Sequence, residues 1–276
     1  MEQAASAITY LHYRSGGWES VAARVITETP VTLTVNAREW LTFMCTPVDL
    51  EAMAVGFLFN EKLIASRDEV ASTYVCACGT NVDVWTYHSI EKPSMWRRTS
   101  GCTGGTTSQG ADDLAPPLAP ALVLRDEDFV STETLFTLLD RLFKSQELYR
   151  EVRGVHSSAL SDGEQVWISA EDIGRHNTLD KIAGRMLLEG VQPQRRILLT
   201  TGRISSEMLQ KSQRIGATIV LSRTSPSSLS IRLAQEAGIT LIGYARRDQL
   251  NVYTCPERIL PRPVELSVPV SSLAGE

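Results

Sequence analysis

The segment Thr99-Ser100-Gly101-Cys102-Thr103-Gly104-Gly105-Thr106-Thr107 places one thiol among three glycines, with hydroxyl side chains on both flanks. None of these residues builds a core. Glycine admits positive φ and close backbone approach, so the amides of such a loop can turn toward an anion. Arg97 and Arg98 stand just upstream. Positive charge and inward-turned amides both lower a thiol's pKa, and the thiolate is the nucleophile. Two readings stand on these residues: an exposed, reactive Cys102, or a glycine-rich surface loop that happens to hold a cysteine.

A second group of candidates is cationic. Thr200-Thr201-Gly202-Arg203, Ser222-Arg223-Thr224-Ser225-Pro226 and Tyr244-Ala245-Arg246-Arg247-Asp248 each follow a short apolar run, and each supplies an arginine. The run Glu171-Asp172-Ile173-Gly174-Arg175-His176-Asn177-Thr178-Leu179-Asp180-Lys181 follows a strand and enters a helix. A helix N-terminus offers amides to an anion, and Arg175 and His176 add charge and hydrogen bonds. The competing reading is a capping segment, with Asn177 or Thr178 as N-cap and the acids solvated. Thr201-Gly202-Arg203-Ile204-Ser205 also joins a strand to a helix, with Ser205 as its cap, but lacks the G-x-x-x-x-G-K-[ST] pattern, so nucleotide hydrolysis is not indicated. Zinc deaminase chemistry needs H-x-E and P-C-x-x-C; Asn177 and Thr178 follow His176, and no P-C-x-x-C occurs. Cys76-x-Cys78 is closer-spaced than the usual zinc pair and has no second pair, while strand alternation puts both thiols on one face. His156 is either a base for Cys102 or a structural histidine.

The elements that must position these groups follow from periodicity. Residues 1–17 read as a loose terminus. Glu19 to Ile26, Val31 to Asn36 and Trp40 to Cys45 read as antiparallel strands with a tight turn at Asn36-Ala37-Arg38. A helix from Pro47 to about Lys62 carries Met53, Val55, Phe57, Leu58 and Leu63 on its apolar face. Strands near Thr73 to Cys78 and Val82 to Tyr87 complete a small α+β unit. Residues 90–120 hold the Cys102 loop and the connector Ala115-Pro116-Pro117-Leu118-Ala119-Pro120. A helix spans Asp126 to Tyr149, and Asp162-Gly163 turns a hairpin between Val155–Leu160 and Gln165–Ser169. Beyond a helix from Thr178 to Glu189, short apolar strands alternate with helices up to Tyr244, and Asn251 to Thr254 adds an edge. This predicts an α/β layered domain with a largely parallel sheet, whose ligand sits beyond the strand C-terminal ends. The expected division is residues 1–125, including the Cys102 loop, and 126–276.

The chain has 276 residues, 43% of them hydrophobic and 21% charged, and a net charge of −5. That argues against a general nucleic-acid binder. Between Gln194 and Arg258, however, ten basic residues face four acidic ones, a local excess of +6. Such a patch suits a confined anion, for example a diphosphate, better than a long polyanion. Five cysteines, at 45, 76, 78, 102 and 255, are too few and too odd in number for a disulfide framework. With no signal-peptide pattern and no apolar run of spanning length, a cytoplasmic location is expected. A two-fold dimer is the default expectation.

Taken together, these motifs resemble the FdhD family, the formate dehydrogenase accessory sulfur carriers. The resemblance runs from about Val25 to Ile259. It rests on Glu28 to Asn36, Val55-Gly56-Phe57-Leu58-Phe59-Asn60-Glu61, the Cys102 loop, Gly154-Val155-His156, Glu171 to Asn177, Thr200 to Met208, and Ser222-Arg223. It implies a cytidine-deaminase-like three-layer α/β domain without the deaminase zinc ligands. It implies transfer of sulfur from a cysteine desulfurase, through a Cys102 persulfide, to the molybdenum or tungsten bis-molybdopterin guanine dinucleotide of formate dehydrogenase. Tyr244, Ala245, Arg246, Arg247, Asp248 and Gln249 align with the family's cofactor-binding segment. Arg203, Arg223 and Arg246 would hold the guanine-dinucleotide phosphates, with Thr201, Gly202, Ser222, Arg175, His176 and Asn177 shaping the pocket. Many members carry C-x-x-C in the loop, whereas Gly105 occupies the second cysteine position here. Two other functions stand beside the carrier: a cofactor-binding chaperone in which Cys102 is only a contact, and a nucleotide-dependent enzyme.

Overall fold

A computed structural model describes residues 4–98, 106–107 and 129–260. Cys102, the Pro-rich connector and the division expected at residue 125 lie outside the described residues. The chain opens with β1 (Ala5–Arg14) and β2 (Gly17–Ile26), an antiparallel ribbon paired from Ala5↔Ile26 to Arg14↔Gly17. The expectation of a loose terminus through residue 17 is therefore corrected. Cross-strand pairing satisfies the ribbon's backbone although most of its side chains stay exposed.

β3 (Thr29–Val35) and β4 (Arg38–Cys45) form the expected hairpin. Its two-residue turn holds Asn36 and Ala37 at φ 48° and 63°, the left-handed geometry that matches strand twist. After α1 (Leu50–Asn60), β5 (Val70–Val75) and β6 (Asn81–Thr86) complete a four-stranded sheet in the order β4-β3-β6-β5. The sequence suggests one apolar face for α1. Instead every residue of the helix except Glu51 is buried, because α1 lies between that sheet and a second helix layer. β7 (Arg97–Arg98) and β8 (Thr106–Thr107) pair antiparallel, so the chain enters and leaves the Cys102 segment through a two-stranded stem.

β9 (Val130–Ser131) leads into α2 (Thr132–Ser145) and α3 (Glu147–Val152). The single helix expected as far as Tyr149 thus breaks at Gln146. β10 (His156–Ser161) and β11 (Val166–Asp172) form the Asp-Gly hairpin. α4 (Arg175–Leu188), β12 (Ile197–Thr200), α5 (Ser206–Ile215), β13 (Ile219–Ser222), α6 (Ser228–Glu236), β14 (Thr240–Gly243), β15 (Asn251–Thr254) and β16 (Ile259–Leu260) follow. The six-stranded sheet has the order β11-β10-β12-β13-β14-β15. Only the β12–β13 and β13–β14 pairs are parallel; β10, β11 and β15 run antiparallel to their neighbours. The expected largely parallel sheet is therefore a mixed one with a parallel centre.

The central strands ILLT, IVLS and TLIG are buried on both faces, as parallel strands between helices must be. Their residues alternate between two cores. Leu198, Val220 and Leu241 join α4, α5 and α6 on one side, and Ile197, Leu199, Ile219, Leu221 and Ile242 join α2 on the other. The first core also takes in α1 and the four-stranded sheet, so the N-terminal portion is seated on the outer surface of the α4–α6 layer. That seating is close. A Cβ on Gly56 would stand 1.8 Å from the Asp180 carbonyl oxygen, and one on Gly184 would stand 1.7 Å from that of Ala52. The fold is α/β, built from several sheets and a helical middle layer. Among the described residues no helix is long and apolar enough to cross a membrane.

Candidate functional site

The C-terminal ends of β12, β13 and β14 lie side by side, and three loops leave from them. Hydrogen bonds lock the loops together. Arg223 N donates to Thr200 O (3.2 Å), Ala245 N to Ser222 O (3.0 Å) and Tyr244 N to Thr224 O (3.1 Å). Ser222 Oγ donates to Gly202 O (2.6 Å), and Gly202 N donates to Thr200 Oγ1 (3.1 Å). Ile204 bridges Pro226 in parallel register, extending the sheet by one rung. Glycine is required twice. A Cβ on Gly202 would meet the Arg175 side chain at 2.9 Å, and one on Gly243 would meet Pro226, Tyr253 and Thr224 O at 2.9–3.0 Å.

Arg203, Arg223, Arg246 and Arg247 emerge exposed from this platform, with Asp248 and Gln249. The Arg246 N–H donates to Gln249 O (2.8 Å), closing the last loop. The Arg223 guanidinium lies 4.7 Å from the centre of the Phe143 ring, a contact that orients it without neutralising it. Tyr244 sits at φ 51° and is 43% exposed. That backbone region is unusual for a bulky residue, and such outliers concentrate at functional sites. Ala245 is buried and contributes backbone only.

β10 and β11 bring a second set to the same end. Ser157 and Thr201 exchange backbone and side-chain bonds, and Ser158 Oγ bonds Thr200 Oγ1 and Thr178 Oγ1 at 2.9 and 2.7 Å. α4 starts at Arg175 with Gly174 as its N-cap, so the expected cap at Asn177 or Thr178 is corrected. Arg175, His176 and Asn177 fill the first turn and are buried. Asn177 donates to Met44 O and Asp172 Oδ1, while His176 Nε2 lies 3.5 Å from Ser205 Oγ. Burial, then the Lys211 and Arg175 charges, push His176 down to about 2, so its imidazole is neutral. Burial and Arg175 also lower His156.

The capping reading expects solvated acids, and the structure corrects this: the acids of the run are engaged by partners inside the fold. Glu171 accepts from the Leu148 and Tyr149 backbone. Asp172 pairs with Lys181 at 2.6 Å, both side chains fully buried. Asp180 pairs with Lys211 at 2.6 Å and accepts from Asn60. Sequence reasoning reads Asp180 as a solvated acid and assigns no role to Lys181 or Lys211. The available signal is three polar residues, Thr178, Asp180 and Lys181, set among Leu179, Ile182 and Ala183 on one helix. Seven of the ten basic residues between Gln194 and Arg258 fall into two groups. Arg196, Lys211, Arg214 and Arg258 are held by carbonyls, Asp180 or Thr240 inside the fold, whereas Arg203, Arg223 and Arg246 take part in no ion pair among the described residues. Cys45 and Cys255 are buried, and burial raises both thiols, Cys45 to about 12. Cys102 lies outside the described residues.

Comparison with known proteins agrees in sequence and in structure. The model of the FdhD/NarQ family matches residues 26–260. A sulfur carrier protein FdhD of Halalkalibacterium halodurans is 37% identical over 245 residues, covering 86% of this chain and 88% of that one. Its Bacillus subtilis counterpart is 34% identical over 251 residues, covering 90% and 94%. The crystal structure of a provisionally assigned formate dehydrogenase accessory protein from Desulfotalea psychrophila superposes with a TM-score of 0.76 at 31% identity, over 93% of this chain and all of that one. With a family model spanning the four-stranded and six-stranded sheets and relatives matching over most of their length, the chain belongs to the FdhD/NarQ family.

Proposed function

We propose that this chain is a sulfur carrier serving a formate dehydrogenase. The Cys102 thiolate attacks the outer sulfur of a cysteine desulfurase persulfide, forming Cys102–S–SH and releasing the desulfurase thiolate. The S–S bond of Cys102–S–SH then breaks, the Cys102 thiolate leaves, and the sulfur passes to the molybdenum or tungsten of bis-molybdopterin guanine dinucleotide held as cargo, whose reduced metal supplies the two electrons that bring the sulfur to the sulfide level. The names of the relatives support the role. One observation carries the cargo site: three neighbouring parallel strands each present an exposed arginine that takes part in no ion pair among the described residues, beside the exposed Tyr244. Guanidinium forks match phosphate oxygens, and an exposed aromatic face is a platform for a purine base. Buried Arg175 and neutral His176 set the floor of this site, and Asn177 fixes the helix that carries them. For the portion from β10 to β14 we infer the cytidine-deaminase-like arrangement, supported by a leading antiparallel hairpin, three parallel strands and helices α4 to α6 on one face.

The test separates sulfur transfer from cargo binding. Cys102→Ala is expected to bind GDP, a probe for the nucleotide end of the cargo, as the parent does, yet to yield inactive formate dehydrogenase when it is the sole accessory protein. Arg223→Ala is expected to weaken GDP binding at least tenfold, because a charge-assisted bond to phosphate contributes about 1.5–3 kcal/mol. Full dehydrogenase activity with Cys102→Ala overturns the carrier and leaves the chaperone. GDP binding untouched by replacing Arg203, Arg223 and Arg246 together overturns the cargo site.

A further inference from the structure

The β5–β6 hairpin ends in a turn that the site above does not use. Cys76 N donates to Asn81 O (3.1 Å), Gly79 N donates to Cys76 O (2.8 Å), and Gly79 takes φ +68°. This tight turn brings the two thiols of Cys76-x-Cys78 together, with Sγ···Sγ at 2.7 Å. The Asn81 N–H donates to Cys76 Sγ (3.2 Å), and Thr80 Oγ1 stands 3.0 Å from Cys78 Sγ. Cys78 is exposed and Cys76 is half-buried, so both are open to a reagent. The strand-face geometry expected for this pair is replaced by turn geometry, which aims the sulfurs at each other.

The surroundings distinguish the two sulfurs. The Cys76 sulfur shares a hydrogen bond with Cys78, accepts one from the Asn81 amide and lies near Thr80, which together lower it to about 6 against an ordinary 9.0. Hydrogen bonds to a thiolate favour the thiolate, so Cys76 is the nucleophile and Cys78 its proton donor. A zinc ion would want four ligands with sulfurs at about 2.3 Å. Two sulfurs so bound stand about 3.7 Å apart in a tetrahedron, wider than this pair, and no third His, Cys, Asp or Glu joins them among the described residues.

We propose that Cys76 and Cys78 form a thiol–disulfide exchange site, which takes disulfides as substrates and closes to a Cys76–Cys78 bond. The Cys76 thiolate attacks one sulfur of a substrate disulfide, forms a mixed disulfide and expels the first substrate thiolate. Cys78 gives up its proton and attacks Cys76 Sγ, expelling the second. Two protein thiols are oxidised by two electrons, one disulfide is reduced to two thiols, and the protons from both cysteines end on the substrate thiols. Exposed disulfides of this kind are the labile ones, so a reducing thiol reopens the pair. The proposal does not depend on the role of Cys102.

The test uses the full chain in glutathione buffers of stepped oxidation, quenched in acid, alkylated and digested. Cys76 and Cys78 are expected to lose reactivity together, and their shared peptide to become lighter by two hydrogens. Cys78→Ser keeps a hydrogen-bond donor and is expected to trap Cys76 as a mixed disulfide with glutathione. At about pH 6 half of Cys76 is thiolate, against about a thousandth of an ordinary thiol. After allowing for the weaker nucleophilicity of a low-pKa thiolate, Cys76 should alkylate roughly twentyfold faster. The proposal is overturned if both thiols stay fully alkylatable at every glutathione ratio, or if Cys76 pairs instead with Cys102 or with a second chain. It is equally overturned if Cys78→Ser, with a parental melting curve, accumulates no glutathione adduct.

Discussion

Replacing Asp172 by Asn tests the clasp beneath the candidate site. Asp172 Oδ2 accepts from Lys181 Nζ (2.6 Å) and Thr46 N (3.1 Å), and Oδ1 accepts from Gly174 N (2.7 Å) and Asn177 Nδ2 (2.9 Å). Lys181 Nζ spends its other two protons on Thr46 O and Glu171 O. Every lone-pair direction and every ammonium proton is used, and neither side chain touches solvent. The pair therefore joins the end of β11, the first turns of α4 and the β4–α1 connection. D172N leaves the Lys181 charge buried and uncompensated, which costs about 3–5 kcal/mol. For a chain of this size that lowers Tm by roughly 6–20 °C. K181M should cost a similar amount, whereas the double variant D172N/K181M buries no net charge and should recover about 2 kcal/mol relative to the sum. Urea denaturation at constant m-value reads all four proteins. Single-variant losses below about 1 kcal/mol, or strict additivity in the double, refute the view that this pair is a coupled, desolvated clasp.

Three further outcomes follow from the same geometry. Gly184→Ala drives a Cβ to 1.7 Å from the Ala52 carbonyl, so melting should show a loss of about 3 kcal/mol or more, opposite in sign to the gain of about 1 kcal/mol expected from helix propensity. His176 is held near 2 in the fold against 6.5 when unfolded; its stabilisation is complete above pH 6.5 and is lost as pH falls, by about 2 kcal/mol at pH 5, so H176Q should flatten the denaturant midpoint between about pH 7.5 and pH 5 by that amount, with His156 supplying a smaller drop of the same sign. A diphosphate offers the arginines of neighbouring loops one more phosphoryl group and more charge than a monophosphate does, so calorimetry should find GDP bound at least tenfold tighter than GMP, and equal affinity would count against two arginines acting together.

Much of the second half was legible because its strands announce themselves. ILLT, IVLS and TLIG are short, apolar on both faces and separated by helical runs, and Ser205 caps α5 as its position suggests. Strand direction was not legible: nothing in the composition of β10 or β15 distinguishes an antiparallel neighbour from a parallel one. Glu19 to Ile26 reads as a strand and forms most of β2, but its partner β1 was missed because the ribbon buries almost no side chains, so no face is written into its pattern. The start of α4 was missed for the opposite reason. Arg-His-Asn-Thr reads as a solvated cap, yet it is buried, because its partners come from Met44, Asp172, Ser158 and Ser205, all outside the helix. Local sequence reports local periodicity; a buried polar turn is specified by partners far along the chain.

The same distinction governs the charge of the site. Counting residues gave a basic excess between Gln194 and Arg258, but charge acts through what remains after pairing. Lys211 is neutralised by Asp180 at 2.6 Å, and the Arg214 and Arg196 guanidiniums are bound to carbonyls of α1, its following turn and α5. These cations are structural, since each ties one layer to another or a strand to a helix end. Arg203, Arg223 and Arg246 differ in kind. They stand at the solvent edge, they take no carboxylate partner among the described residues, and the loops bearing them are fixed to one another through backbone bonds. An exposed cation on a mobile loop loses side-chain and loop entropy when it binds an anion; here the loop share of that cost is already met in folding. Beneath the arginines, Asp172 and Asp180 neutralise Lys181 and Lys211. The strand ends therefore present fixed positive charge that no carboxylate among the described residues satisfies, which is the condition an anionic ligand requires.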